Sequence, residues 1–197
     1  MTTASAPQVL ALLGLRCSGK STLGRALAAR LGRPFVDLDE ELLGTAGRAG
    51  LEGRSAGELL ERHGEARFRE LEAEALRQVL ERGPLVLATG GGVVERPDNR
   101  AWLARKARCI LLDVPLDVLL ARRAADPRAR PLLGAADPAA EYAHLWQRRE
   151  PLYRALAAAV LSCGEAPVEA LVARLVELSE PDGKGLLKRA ETPDLAP

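Results

Sequence analysis

Near the start of the chain, Gly14-Leu15-Arg16-Cys17-Ser18-Gly19-Lys20-Ser21 brings together the residue types that hold a polyphosphate. Gly14 and Gly19 enclose four residues, and Lys20 and Ser21 follow at once. A loop of this kind wraps successive backbone N–H groups around phosphate oxygens. Gly19 takes a torsion that other residues resist, and the helix behind it directs its positive end at the anion. Lys20 can then reach the terminal phosphates, and Ser21 can hold a magnesium ion. The bland alternative is a glycine turn joining a strand to a helix, which would have to produce the whole pattern by accident. The loop alone leaves open a phosphotransferase, a motor ATPase and a nucleotide-controlled switch.

A second constellation is Asp37 and Asp39, two apart at the end of an extended stretch, so that both side chains point to one face. At the carboxyl end of a strand in an open parallel sheet that face borders the ligand crevice. One carboxylate could orient hydrated magnesium while the other takes a hydroxyl proton, which is the division of labour that phosphoryl transfer to an alcohol requires. The competing reading is structural: Asp37 ends the strand and Asp39 caps a following helix.

These groups need a framework, and the chain supplies one. Its 197 residues, 47% of them hydrophobic, suit one domain with a substantial core. A net charge of +1 offers no global field for nucleic acid or an anionic membrane. Lysine is rare (Lys20, Lys106, Lys184, Lys188), which sharpens the meaning of Lys20 in a glycine-rich loop. Cys17, Cys109 and Cys163 are scattered and suggest a reducing cytoplasm. His63 and His144 stand alone and support neither a metal site nor a hydrolase triad. The start, Met1 to Pro7, has no positive region, and the apolar run Val9 to Leu15 is too short to span a bilayer.

That run predicts a buried strand over 9–13, followed by a helix over 20–31 that ends at Gly32. Further strands are expected over 34–38, 84–89, 107–113 and 159–162. Helices are expected over 55–63, 65–82, 99–105, 116–125, 139–156 and 168–178. Strands alternating with helices imply a parallel α/β sheet covered on both faces. The segment 126–138, rich in proline and arginine, reads as a mobile loop, and 1–7 and 179–197 as disordered ends.

Asp37-Leu38-Asp39, Gly64-Glu65-Ala66-Arg67-Phe68-Arg69-Glu70-Leu71-Glu72, Thr89-Gly90-Gly91-Gly92, Arg130-Pro131-Leu132-Leu133 and Arg149-Glu150-Pro151-Leu152-Tyr153 follow the phosphate loop in that order. Together they resemble the shikimate kinase family over about Gln8 to Leu178. The resemblance implies the P-loop NTPase fold, a three-layer sandwich with a five-stranded parallel sheet in order 2-3-1-4-5, with acceptor-binding helices within 38–82 and a mobile lid at about 124–138. It implies an ATP:shikimate 3-phosphotransferase of the shikimate pathway with one Mg2+. The charge balance, the scattered cysteines and the lack of an apolar helix face left over point to a cytoplasmic monomer with no nucleic-acid or membrane partner. ATP would be held by Gly14 through Ser21 and Thr22, with Arg123 and the turn near Pro167 against the adenine. Ser21 and Asp37 would serve the metal. Asp39 would hold the shikimate hydroxyls and act as base, helped by Lys20 and by Arg130 on the lid. Arg69 and Arg149 would bind the carboxylate, as planar guanidiniums can through paired hydrogen bonds, with Glu72, three residues on, available to brace Arg69. Gly90, Gly91 and Gly92 would lie against the ring.

Two departures stand out. Cys17 replaces a further glycine usual in the family's loop, and at a positive backbone torsion it would cost about 1 kcal/mol or more. Ile110-Leu111-Leu112-Asp113 looks like a magnesium strand, but the resemblance assigns the metal to Asp37. Competing readings are a relative acting on gluconate or a nucleoside monophosphate, and a nucleotide-dependent regulator. With 3% aromatic residues the chain advertises little stacking surface for a nucleotide acceptor.

Overall fold

The computed structural model describes residues 9–125, 137–164 and 166–180. The expected disordered N-terminus, Arg130 with the body of the expected lid, and nearly all of the expected tail lie outside these residues.

Strands β1 (Val9–Leu13), β2 (Phe35–Asp37), β3 (Leu85–Ala88), β4 (Ala107–Asp113) and β5 (Ala157–Ser162) form one parallel sheet. Their order is β2-β3-β1-β4-β5, as expected. The unbroken apolar run of β1 follows from its central place. It has β3 on one side and β4 on the other, and all five of its residues are buried. Each such leucine contributes about 1.5–3 kcal/mol relative to leaving it in water.

Helix α1 (Lys20–Leu31) ends at Gly32 in the left-handed conformation, and the Arg33 N–H closes the turn onto Ala28 O at 2.9 Å. Helix α2 (Leu38–Arg48) begins one residue after β2, which shortens the strand expected over 34–38. Asp37, not Asp39, caps it: the Asp37 side chain accepts from the Asp39 N–H at 3.0 Å. Asp39 is thereby released from capping and lies in the first turn. Helix α3 (Ala56–Leu80) joins the two helices expected over 55–63 and 65–82 end to end, with a break at Gly64, where φ is 76° and ψ 164°. Ser55 caps it by accepting from the Glu58 N–H at 3.1 Å.

Helices α4 (Pro97–Lys106), α5 (Leu116–Ala125), α6 (Pro138–Leu156) and α7 (Val168–Ser179) complete the fold. The ends of the lid region belong to helices, since Ala125 closes α5 and Asp137 caps α6 through the N–H groups of Ala139 and Ala140. Likewise α7 continues through Ser179, the first residue of the expected tail. Moving from β1 to β2 and from β3 to β4 runs in opposite directions across the sheet, so right-handed crossovers place α1 and α4 on opposite faces. Accordingly α1 packs with α7, and α4 with α3 and α6. No helix among the described residues is long and apolar enough to cross a membrane.

Candidate active site

The loop between β1 and α1 starts from the most buried strand of the sheet. Gly19 takes φ 92°, and Cys17 takes φ 62°, the only non-glycine residue with positive φ among those described. The strained position is tied down from two sides: Arg122 Nη1 donates to Cys17 O at 3.3 Å and the Tyr142 hydroxyl to Cys17 Sγ at 3.5 Å. Lys20 is buried, and its ammonium donates to Gly14 O at 3.0 Å, Leu15 O at 2.6 Å and Ser18 Oγ at 3.2 Å. The loop therefore holds its own cation by carbonyl groups. Burial lowers the Lys20 pKa to about 8, against the opposing pull of Asp39 and Asp37.

Ser21 Oγ donates to Asp37 Oδ2 at 2.6 Å, so the hydroxyl and carboxylate proposed for a metal are neighbours. Asp113 is committed elsewhere. Arg154 Nη2 donates to its Oδ2 at 2.9 Å, and its carbonyl accepts from the Cys163 N–H at 2.7 Å. Among the described residues no cluster of three or more His, Cys, Asp or Glu side chains is gathered for a metal ion. Lys20, Ser21, Thr22 and Asp37 line a cleft of about 790 Å³.

A second cavity, of about 360 Å³, adjoins it. Asp39, Arg69 and Arg149 line this one, between apolar walls from Leu60, Phe68 and Leu145. The two spaces share Arg16, Asp39, Gly90 and Gly91. A group seated in the cleft and a group seated in the cavity thus meet at Asp39.

The triple glycine forms the floor because neighbouring side chains crowd it. A methyl group built on Gly92 would stand 2.5 Å from Arg69 Nη1 and Nη2, and one on Gly90 would stand 2.7 Å from Glu72 Oε1. The fully buried Tyr153 donates its hydroxyl hydrogen to Gly91 O and holds the strip from below. The guanidiniums are held by carboxylates. Arg69 Nη1 donates to Glu72 Oε2 at 2.9 Å and Nη2 to Glu95 Oε2 at 3.4 Å, while Arg149 Nε donates to Glu95 Oε1 at 2.9 Å. Burial, opposed by Arg69, pushes the Glu72 carboxyl above the ordinary carboxylate range. Burial also works against the charge of Glu95, but Arg149, Arg69 and Arg148 hold it below that range.

On the far side of the phosphate loop a cleft of about 350 Å³ is bordered by Cys17, Arg122, Ala166 and Val168. The turn near Pro167 therefore flanks it, and Arg122 lines it while Arg123 does not. Glu72, three residues after Arg69 on the same helix, braces it. The sequence motifs assign no part to Glu95, Arg148 or Tyr153. Glu95 carries no motif signal, and only its distance of three residues from the triple glycine could have pointed to it.

The family model described as shikimate kinase matches residues 16–180. The chain is 47% identical over 153 residues to a protein named shikimate kinase from Nitrobacter winogradskyi, covering 77% of this chain and 67% of that one. It is 41% identical over 166 residues to one of the same name from Chromobacterium violaceum, covering 84% and 86%. Among solved structures, shikimate kinase from Acinetobacter baumannii in complex with shikimate superposes with a TM-score of 0.77 at 32% identity, covering 87% of this chain and 92% of that one.

Proposed function

Because the chain belongs to the shikimate kinase family, we propose that it moves the γ-phosphoryl group of ATP onto the 3-hydroxyl of shikimate, giving 3-phosphoshikimate and ADP, a step toward chorismate and the aromatic amino acids. The observation that carries this reading is the shared wall at Asp39, which borders both the phosphate cleft and the arginine-lined cavity. ATP lies along Gly14 to Thr22, and shikimate lies on Gly90 to Gly92 with its carboxylate toward Arg69 and Arg149. Asp39 takes the hydroxyl proton as the oxygen bonds to the γ-phosphorus, and the bond to the bridging oxygen breaks as ADP leaves.

Lys20 supplies positive charge to the transferring group. To do so its ammonium leaves the carbonyls of Gly14 and Leu15 that now accept from it. Ser21 and Asp37 present two hard oxygen donors 2.6 Å apart, a set that suits Mg2+ completed by water and phosphate oxygens. When bound, such an ion neutralises charge on the phosphates. Arg130 and Arg123 take their parts, on the transferring phosphate and beside the adenine, from the family resemblance, and Arg122 is a second candidate for the adenine side.

We read residues 8–178 as one kinase domain with the acceptor side built by α2 and α3, acting as a cytoplasmic monomer without nucleic-acid or membrane partners. The test is ADP release with shikimate, quinate, gluconate and AMP offered separately. Release with shikimate at least about tenfold faster than with the others is the expected outcome. Equal rates with all acceptors, or none above the background, would sink the reading.

A further inference from the structure

Glu95 closes the short 3-10 turn Val93–Glu95 that follows the triple glycine. It is not part of the cavity wall, yet it touches both arginines that are. Its Oε1 accepts from Arg149 Nε at 2.9 Å and from Arg148 Nη2, and its Oε2 accepts from Arg69 Nη2 at 3.4 Å. Glu72 takes Arg69 Nη1, and the exposed Glu65 stands 3.5 Å from Arg69 Nη2. Three guanidiniums, Arg69, Arg148 and Arg149, thus face three carboxylates. A receptor for an anion is here close to charge balance before any anion arrives.

That balance has a use. A carboxylate bound by two uncompensated, largely buried guanidiniums would be held tightly, and so would the phosphorylated product that carries the same carboxylate. Uniform tightening of this kind lowers KM without speeding the chemical step. We propose that Glu95 is a resident counter-ion that aligns Arg149 while setting a limit on how strongly the fork of Arg69 and Arg149 grips the carboxylate of the acceptor. The inference rests on the acceptor being shikimate. The Glu95 to Arg69 contact is the longer of the two and is the one an incoming carboxylate displaces, while Arg149 Nε stays engaged. Arg148, more than half exposed, tempers Glu95 from the solvent side.

Glu95→Gln keeps the shape and an oxygen for Arg149 Nε but removes the charge. The measurement is KM for shikimate and for its neutral methyl ester, on wild type and variant. The variant should bind shikimate about three- to tenfold more tightly by KM, with the ester unmoved, since like charges separated by several ångströms repel only where both are present. Arg148→Gln should move shikimate the other way, by about two- to threefold, and lose that effect when combined with Glu95→Gln. A variant KM for shikimate that stays the same or rises would overturn the proposal. So would equal shifts for acid and ester, which mark a brace and not a charge. Wild-type enzyme silent toward shikimate would overturn the functional reading and this inference together, whereas an active wild type with an unimproved Glu95→Gln overturns the inference alone.

Discussion

The two halves of the site are made in different ways. The phosphate half is built on a single run of chain from Gly14 to Thr22, with Asp37 from the end of β2 bonded to Ser21 and with Arg122 and Tyr142 steadying Cys17. The acceptor half draws on α2 for Asp39, α3 for Arg69 and Glu72, the loop after β3 for the three glycines and Glu95, and α6 for Arg149 and Tyr153. In the first, local backbone geometry does most of the positioning. In the second, nothing is in place until distant elements have packed, and buried charges from three of them must be paired or they would be expelled. The teaching is that a contiguous site is fixed by torsions and an assembled one by charge compensation.

Asp39 belongs to both halves, and its loss should be the severest. Asp39→Asn keeps the volume but removes the base, and kcat for ADP formation with shikimate is expected to fall about 10²- to 10⁴-fold. Binding of a fluorescent nucleotide should change little, and a parallel loss of nucleotide affinity would mean that the residue serves the phosphate half alone. Next comes Arg149→Met, which separates the halves cleanly. It removes a guanidinium from the acceptor side, so KM for shikimate should rise about ten- to a hundredfold with KM for ATP nearly constant. Equal rises in both constants would break the division.

The phosphate half has its own signature in pH. Lys20, with a pKa lowered to about 8 by burial, loses its proton as pH rises through that value, while bound phosphate favours the charged form. Affinity for ATP in the free enzyme is therefore full below about pH 8 and should fall by up to about tenfold per unit above it. Profiles of kcat/KM for ATP and for shikimate between neutral pH and the alkaline range would show it, with the ATP profile descending in wild type and flattened in Lys20→Met. The smallest effect concerns Cys17. Its φ of 62° favours glycine, but glycine also frees the unfolded chain, so the net stabilisation from Cys17→Gly should be no more than about 1 kcal/mol, as read from urea midpoints. A clear loss would mean that the contact from the Tyr142 hydroxyl to Cys17 Sγ outweighs the torsional strain.

The same contrast governs what could be read from residues alone. The loop, α1 with its Gly32 stop and the five strands were legible, because apolar runs, glycines and a helical period are local signals, whereas the strand order followed only from the family resemblance. So was the pairing of Arg69 with Glu72, three residues apart on one helix. Asp37 as the helix cap was missed, since two aspartates that close offer the same chemistry and only the backbone decides between them. Glu95, Arg148 and Tyr153 were also missed. They act across more than fifty residues of chain, on partners that a linear pattern does not join. Arg122 and Arg123 are adjacent and identical, so the side facing the cleft depends on how α5 is rotated.

The break in α3 at Gly64 has a bearing on how acceptor preference can drift. The stretch before it gives the cavity Gly57, Leu60 and Glu61, and the stretch after it gives Phe68, Arg69 and Glu72. Most of the buried positions of α3 lie in the later stretch, which carries the charge-reading residues. The earlier stretch, which joins the later one through a residue outside the helical ladder, is seated by only Ala56, Gly57 and Leu59, so fewer packing contacts constrain its angle. Substitutions before Gly64 therefore offer a route to new ring shapes, and substitutions after it to new ionic groups, with little need for the two to evolve in step.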